Sequence, residues 1–136
     1  MGKTVNAKGS VGVARVVADM IERGYEAFLP FDGSSSVDLV VADTAMNLRR
    51  LQVKYRTPNR SGSLDVYLSS VVNGKRKKMD IGRIDGWAIF CPDTDTVYYV
   101  PKNKVQAAAC FSLALRKMKG AVRMADDFLS PEALWG

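Results

Sequence analysis

Asp38, Gln52 and Lys54 are the residues whose types and spacing suggest chemistry. Asp38 is a lone acid in the apolar run Val37-Asp38-Leu39-Val40-Val41-Ala42. Gln52 and Lys54 stand in a second run, Leu48-Arg49-Arg50-Leu51-Gln52-Val53-Lys54-Tyr55. A carboxylate and an amide oxygen can hold a divalent metal, and an amine beside them can face a phosphate. Both runs are rich in valine and leucine, and the polar stretch 43–47 between them predicts a hairpin. A turn centred near Ala45 opposes residues whose numbers sum to 90, which sets Asp38 across from Gln52. Opposed residues share one face of a sheet, and the strand period of two puts Lys54 on that face as well.

The same alternation has a plainer explanation. Arg50, Gln52, Lys54 and Arg56 also describe the solvated side of a strand that buries its other face, and taken alone that is the commoner origin. Asp38 argues the other way, because its flanks are apolar and an unpaired carboxylate buried there is costly. An acid kept in such surroundings calls for a cation or for hydrogen-bond donors.

The elements that must position these groups follow from local patterns. Val13, Val16, Val17, Met20 and Ile21 recur at helical spacing and predict a helix from about Ser10 to Arg23, with Ser10 as N-cap and Gly24 as C-cap. Val13 then shares a buried face with Val17, Met20 and Ile21, and residues 1–8 are expected to be loosely held. A strand from Tyr25 to Leu29 leads through the loop 30–36 to Asp38. Beyond the turn 57–63 a strand is expected from Leu64 to Val72, and Asn73-Gly74 is a strong hairpin signal. The returning strand opens with Lys75-Arg76-Lys77-Lys78, cations that either protect a sheet edge or follow a nucleic-acid groove.

Gly86 to Phe90 and Thr96 to Val100 predict a further hairpin around Pro92-Asp93-Thr94-Asp95, a turn and not a calcium loop, since no such loop continues. Trp87, Tyr98 and Tyr99 either stack on bases or pack a core, the latter being the usual role. An amphipathic helix is expected over about Asn103 to Lys119, carrying Val105, Ala108, Ala109, Leu113 and Leu115 and ended by Gly120. The tail holds Phe128, Leu129, Leu134 and Trp135, enough apolar mass to dock on its own core or on a second subunit.

Composition narrows the chemistry. The 136 residues suit one domain spanning 1–136. No stretch is apolar enough to span a membrane and no secretory core opens the chain, so a cytoplasmic location is expected. With no histidine, imidazole acid–base catalysis and histidine zinc sites are excluded. Cys91 and Cys110 lack metal-ligand spacing and are expected to be free thiols. A net charge of +6 favours a polyanionic partner.

Several segments together carry a resemblance: the runs Lys8 to Val16 and Gly24 to Phe31, then Val37-Asp38-Leu39-Val40-Val41, Leu51-Gln52-Val53-Lys54-Tyr55-Arg56-Thr57, Asp85 to Pro92 and Val97 to Pro101. In order and spacing they resemble the PD-(D/E)xK nuclease superfamily, in particular its group I intron-encoded homing endonucleases and, more distantly, Holliday junction resolvases. The resemblance covers roughly residues 8 to 105. It implies an α/β fold with a restriction-endonuclease-like core, a mixed and mostly antiparallel sheet flanked by helices. It also implies metal-dependent hydrolysis of phosphodiester bonds in double-stranded or branched DNA by a homodimer or homotetramer.

Asp38 matches the family's metal-binding acid. Gln52 stands where most members carry Asp or Glu, a change this branch tolerates. Lys54 matches the lysine that orients water or balances phosphate charge. With the carbonyl of Val53, Asp38 and Gln52 would hold Mg²⁺, for which Mn²⁺ can substitute. Arg50, Arg56, Lys75, Arg76, Lys77 and Lys78 are the candidate DNA contacts. The sequence departs from the pattern twice: Val37 replaces the motif proline, and Val13 replaces the metal-binding glutamate of the first helix. Glu26 and Asp32 are the nearest spare carboxylates. A junction-resolving nuclease and a catalytically impaired DNA-binding module therefore stand as alternatives.

Overall fold

The computed structural model describes residues 4–78, 80–105, 109–117, 119–120 and 123–136. Helix α1 (Val5–Glu22) begins at Thr4, whose hydroxyl accepts the N–H of Ala7 at 3.1 Å, and stops before Gly24, whose φ of +92° no side chain favours. The cap is thus Thr4 and not Ser10, and Val5 to Lys8, expected to be loose, are helical. The buried stripe is Gly12, Val16 and Met20. Val13 and Val17 are only half-buried and Ile21 is exposed, so the expected face is rotated. The reason is physical: the stripe runs through Gly12, which gives no hydrophobic signal, while the valines beside it do.

Nine strands follow among the described residues: β1 (Glu26–Phe28), β2 (Leu39–Ala42), β3 (Leu48–Tyr55), β4 (Ser63–Tyr67), β5 (Ser69–Val72), β6 (Lys75–Lys78), β7 (Gly86–Cys91), β8 (Thr96–Pro101) and β9 (Cys110–Ala114). Five of them make one sheet in the order β1-β2-β3-β7-β8, in which only the β3–β7 pair is parallel. This is the mixed, mostly antiparallel sheet expected. The β2–β3 register runs from Leu39 opposite Leu51 to Ala42 opposite Leu48, every pair summing to 90 as the hairpin reading requires. Its turn is tied by the Asp43 carboxylate, which accepts the N–H groups of Ala45 (3.1 Å) and Asn47 (2.8 Å).

Helix α1 covers one face of the sheet, where Val16 and Met20 meet Leu39, Val41, Leu51, Ala88 and Phe90. The opposite face carries Trp87, Ile89, Tyr98 and Val100 against Leu64, Val66, Phe111 and Leu113 of the β4–β9 pair. Full burial of each large side chain contributes about 1.5–3 kcal/mol. Trp87, Tyr98 and Tyr99 are therefore core residues, not base-stacking platforms; the Trp87 ring meets Phe111 edge-on at 5.0 Å.

Two further expectations are corrected. The segment 103–119, read as an amphipathic helix, instead contains β9, with Phe111 and Leu113 buried and Ser112 turned toward Asp65; Ala108 lies outside the described residues. Its period-two burial is set by pairing with β4, which is 49 residues away along the chain at the Leu64–Leu113 pair and invisible to a local pattern. The strand expected over Leu64 to Val72 is divided at Leu68, because β4 pairs with β9 whereas β5 pairs with β6. The Asn73-Gly74 turn is as expected, with φ of 52° and 76° at the two residues.

The tail docks on its own chain. Trp135 stacks on Tyr25 at 4.9 Å and donates its indole N–H to the carbonyl of Asn47 at 2.8 Å, while Leu134 is buried. Gly86 is the tightest backbone position beneath it: a Cβ there would lie 2.6 Å from the Val100 carbonyl oxygen and 2.7 Å from Leu134 Cδ2. Gly86→Ala should therefore destabilise the fold by about 1–3 kcal/mol, through overpacking against main chain that cannot yield. Urea unfolding measures it, and an unchanged midpoint would mean that β8 and the tail shift freely. Among the described residues, no helix is long and apolar enough to cross a membrane.

Candidate active site

The β2–β3 ladder stops at Leu39, and Asp38 leaves it by a specific route. Its N–H donates to the carbonyl of Leu51 at 3.0 Å, and its carboxylate accepts the N–H of Val53 at 2.8 Å. Asp38 is thus bonded to the residues either side of Gln52 and is not a ladder partner of Gln52 itself. Burial lifts its carboxyl above the usual aspartate range, outweighing the Val53 N–H and the charge of Lys54.

Gln52 points its amide nitrogen toward the carbonyl of Ser36 at 3.5 Å, while its Oε1 is buried without a hydrogen-bond partner. Leaving such an acceptor unsatisfied costs about 1–3 kcal/mol. A hard cation taking oxygen ligands satisfies it, so these residues fit a divalent metal. Lys54, two residues on, has its amine depressed by burial and by the nearby Arg56 charge, with Asp38 opposing the shift. Ion pairs among the described residues are Arg15–Asp95, Arg23–Asp19 and Arg50–Asp85, so Lys54 and Asp38 attract one another across a gap.

These shifts have a definite sign. A raised carboxyl stabilises the fold below its unfolded pKa and loses that contribution as pH rises through the folded value. A depressed amine stabilises above its unfolded pKa and loses that contribution as pH falls through the folded value. The charged form of each half-buried group is therefore held at the expense of stability. A bound cation and anion would relieve both.

Asp38 and Val53 open onto a depression of about 1100 Å³ whose other wall is α1, including Ser10, Val13 and Val17. Val13, where the resembled family carries an acid, therefore faces the same space as Asp38 and is not sunk in the core. The spare carboxylates do not take its place. Asp32 is engaged by the N–H (2.9 Å) and hydroxyl (2.8 Å) of Ser34, which hold its pKa down, and Glu26 is exposed on β1. Neither lines the depression. Among the described residues, no cluster of three or more histidine, cysteine or acidic side chains could hold a metal.

The candidate DNA contacts divide. Arg50 is paired with Asp85, at 3.1 Å between side chains, and its charge is already answered. Arg56 is half-buried beside Lys54, and Arg76 reaches the hydroxyl of Ser69 at 3.3 Å. Lys75, Lys77 and Lys78 are exposed along β6, with Lys75 and Lys77 on the face away from Arg76 by the strand period. Tyr67 and Ser69, which border the Lys54 side of the site, carried no signal in the sequence.

With this geometry in place, the comparison with known proteins is decisive for the family. Residues 4–130 match the profile of the PD-(D/E)XK endonucleases. The chain belongs to the PD-(D/E)XK endonuclease family. Its fold is also similar to that of a solved bacterial homing endonuclease, I-Ssp6803I, with a TM-score of 0.78 over 98% of this chain and 93% of that one. Sequence identity to that structure is 13%, so the likeness shows a shared restriction-endonuclease-like fold and nothing of the target. A search of curated protein sequences gives no match. In this PD-(D/E)XK chain the residues singled out in the sequence lie just before β2 (Asp38) and within β3 (Gln52 and Lys54).

Proposed function

We propose that this PD-(D/E)XK endonuclease hydrolyses phosphodiester bonds of double-stranded DNA in a metal-dependent reaction, in the manner of a homing endonuclease. The buried, donorless Oε1 of Gln52 and the Asp38 carboxylate, which accepts the N–H of Val53, the residue after Gln52, carry the reading, since a divalent cation would answer both. Asp38, Gln52 and the carbonyl of Val53 would hold Mg²⁺, or Mn²⁺ in its place. An ion there supplies Lewis acidity toward a phosphate oxygen and lowers the pKa of water.

The remaining work falls to the chain. Asp38 is braced by the Val53 N–H, which keeps its carboxylate aimed and ionised when charge is balanced. Lys54 stabilises the negative charge that develops on the phosphate or orients the attacking water. Arg56, Arg76 and the exposed lysines of β6 hold the DNA backbone. Cutting both strands of a duplex calls for a symmetric homodimer or homotetramer, and the same residues would serve on branched DNA.

One observation favours a second reading. The depression beside Asp38 presents Val13 and no helix carboxylate, which suits a DNA-binding module whose cleavage is impaired. Nicking of supercoiled plasmid with Mg²⁺, Mn²⁺ or chelator, by wild type and by Asp38→Ala of equal circular dichroism, separates the two. Cutting that needs metal and disappears in Asp38→Ala is expected. Equal cutting by both proteins would remove Asp38 from the site. Salt-sensitive DNA binding without cutting would favour the second reading.

A further inference from the structure

We propose that Lys54, Arg56 and Arg76, together with Tyr67 and Ser69, form a pocket for one non-reacting phosphate of the DNA backbone, adjacent to the phosphate that is cut. The position of that second phosphate rests on the nuclease reading above. The pocket itself rests on geometry. These five residues enclose a hollow of about 350 Å³, three of them cationic and none acidic. They come from three parts of the fold: Lys54 and Arg56 bracket the end of β3, Tyr67 ends β4, and Ser69 and Arg76 belong to the β5–β6 ribbon.

The arginines are pre-set for an anion. Arg56 donates Nε to the carbonyl of Asp65 and Nη1 to the carbonyl of Tyr55, both at 2.9 Å, which fixes the guanidinium at the wall of the hollow. Arg76 donates Nη1 to Ser69 Oγ at 3.3 Å, and the β5–β6 register places Ser69 and Arg76 on one face of the ribbon. The acid nearest Arg56 is committed elsewhere: the Asp65 carboxylate accepts from Ser112 at 2.6 Å and Asn59 at 3.1 Å. Three cations drawn together without an acid among them repel one another. A phosphate, accepting from several donors at once, resolves that repulsion.

Lys54 belongs to both sites. Its ammonium has three donors, so it can bridge the phosphate near Asp38 and the one in the pocket. Binding energy gained on the non-reacting phosphate then orients the reacting one. Arg76 is by this argument a positioning residue.

The test uses nitrogen-15-labelled protein in chelator, titrated with inorganic phosphate or with a short DNA duplex against chloride of equal ionic strength. The arginine Nε–Hε signals of Arg56 and Arg76 report binding. Saturable shifts of both signals by phosphate are expected, with affinity falling about tenfold in Arg76→Ala, the loss of one charge-assisted hydrogen bond, and unchanged in the charge-matched Lys104→Ala. The duplex should shift the same two signals, which identifies a backbone phosphate as the ligand. Phosphate shifts no larger than those of chloride, equal loss in the two variants, or a duplex that leaves both signals unmoved would each overturn the pocket. Plasmid nicking in parallel keeps the two proposals apart. Duplex-induced shifts without cleavage uphold the pocket and remove the nuclease reading; metal-dependent cleavage without those shifts does the reverse.

Discussion

Lys54→Ala is expected to slow metal-dependent cleavage by about 10²–10³-fold, the usual loss when one preorganised group facing developing charge is removed. DNA binding in chelator should fall far less, with the salt dependence reduced by about one phosphate contact. The contrast matters because a merely structural lysine would lower both together through unfolding. Here the opposite is expected of stability. Lys54 is half-buried, with its charged form disfavoured by burial and by Arg56, so its removal should leave the unfolding temperature at neutral pH unchanged or higher. Lys54→Arg should not restore the rate, since a planar guanidinium cannot reproduce a compact ammonium seated between two anions. Single-turnover cleavage, duplex affinity and thermal unfolding of the three proteins together decide the matter. A rate within a few-fold of wild type in Lys54→Ala would take this residue out of the reaction.

The second large effect is a gain. Val13→Glu puts a carboxylate on the wall of the depression that Asp38 shares. The site now offers one charged oxygen ligand, and affinity for hard cations rises with the charge of the ligand set. A net improvement of only about 1.4 kcal/mol, a small part of what a carboxylate gains from a divalent ion, is tenfold in affinity. The Mg²⁺ midpoint should therefore drop about tenfold or more, and the cleavage rate at limiting metal should rise with it. Without metal the new acid faces Asp38, whose carboxyl burial already holds up, so the unfolding temperature should fall in chelator and recover on adding Mg²⁺. That recovery is readable even in a protein that never cuts. An Mg²⁺ response equal to that of wild type would show that the helix position lies out of reach of the ion.

How much of this was legible beforehand differs residue by residue. The pairing of β2 with β3 was readable because a short hairpin is a local object: two apolar runs and a polar turn set the sum of 90, and every observed pair obeys it. The Asn73-Gly74 turn was readable for the same reason, both residues tolerating the positive φ they adopt. The tail's apolar mass announced docking, and Trp135 on Tyr25 is its destination. Asp38, Gln52 and Lys54 stood out because charge and amide in apolar runs carry a cost that local structure does not explain.

The tertiary structure alone decided the rest. Asp38 steps out of the ladder to bond Val53, a rearrangement of hydrogen bonds that no alternation encodes. Val13 reads as core at helical spacing, yet the packing stripe runs through Gly12 and leaves it facing the depression. Residues 110–114 read as helix and became a strand, because β4 supplied the partner. Arg76 meets Lys54 and Arg56 only once the β5–β6 ribbon lies beside the end of β3. By itself, the sequence determined which residues could do chemistry and the local elements that carry them, since those depend on side-chain type and near-neighbour geometry. Which of them share a wall, a ladder or a pocket is a matter of non-local pairing and burial, and only the folded chain sets it.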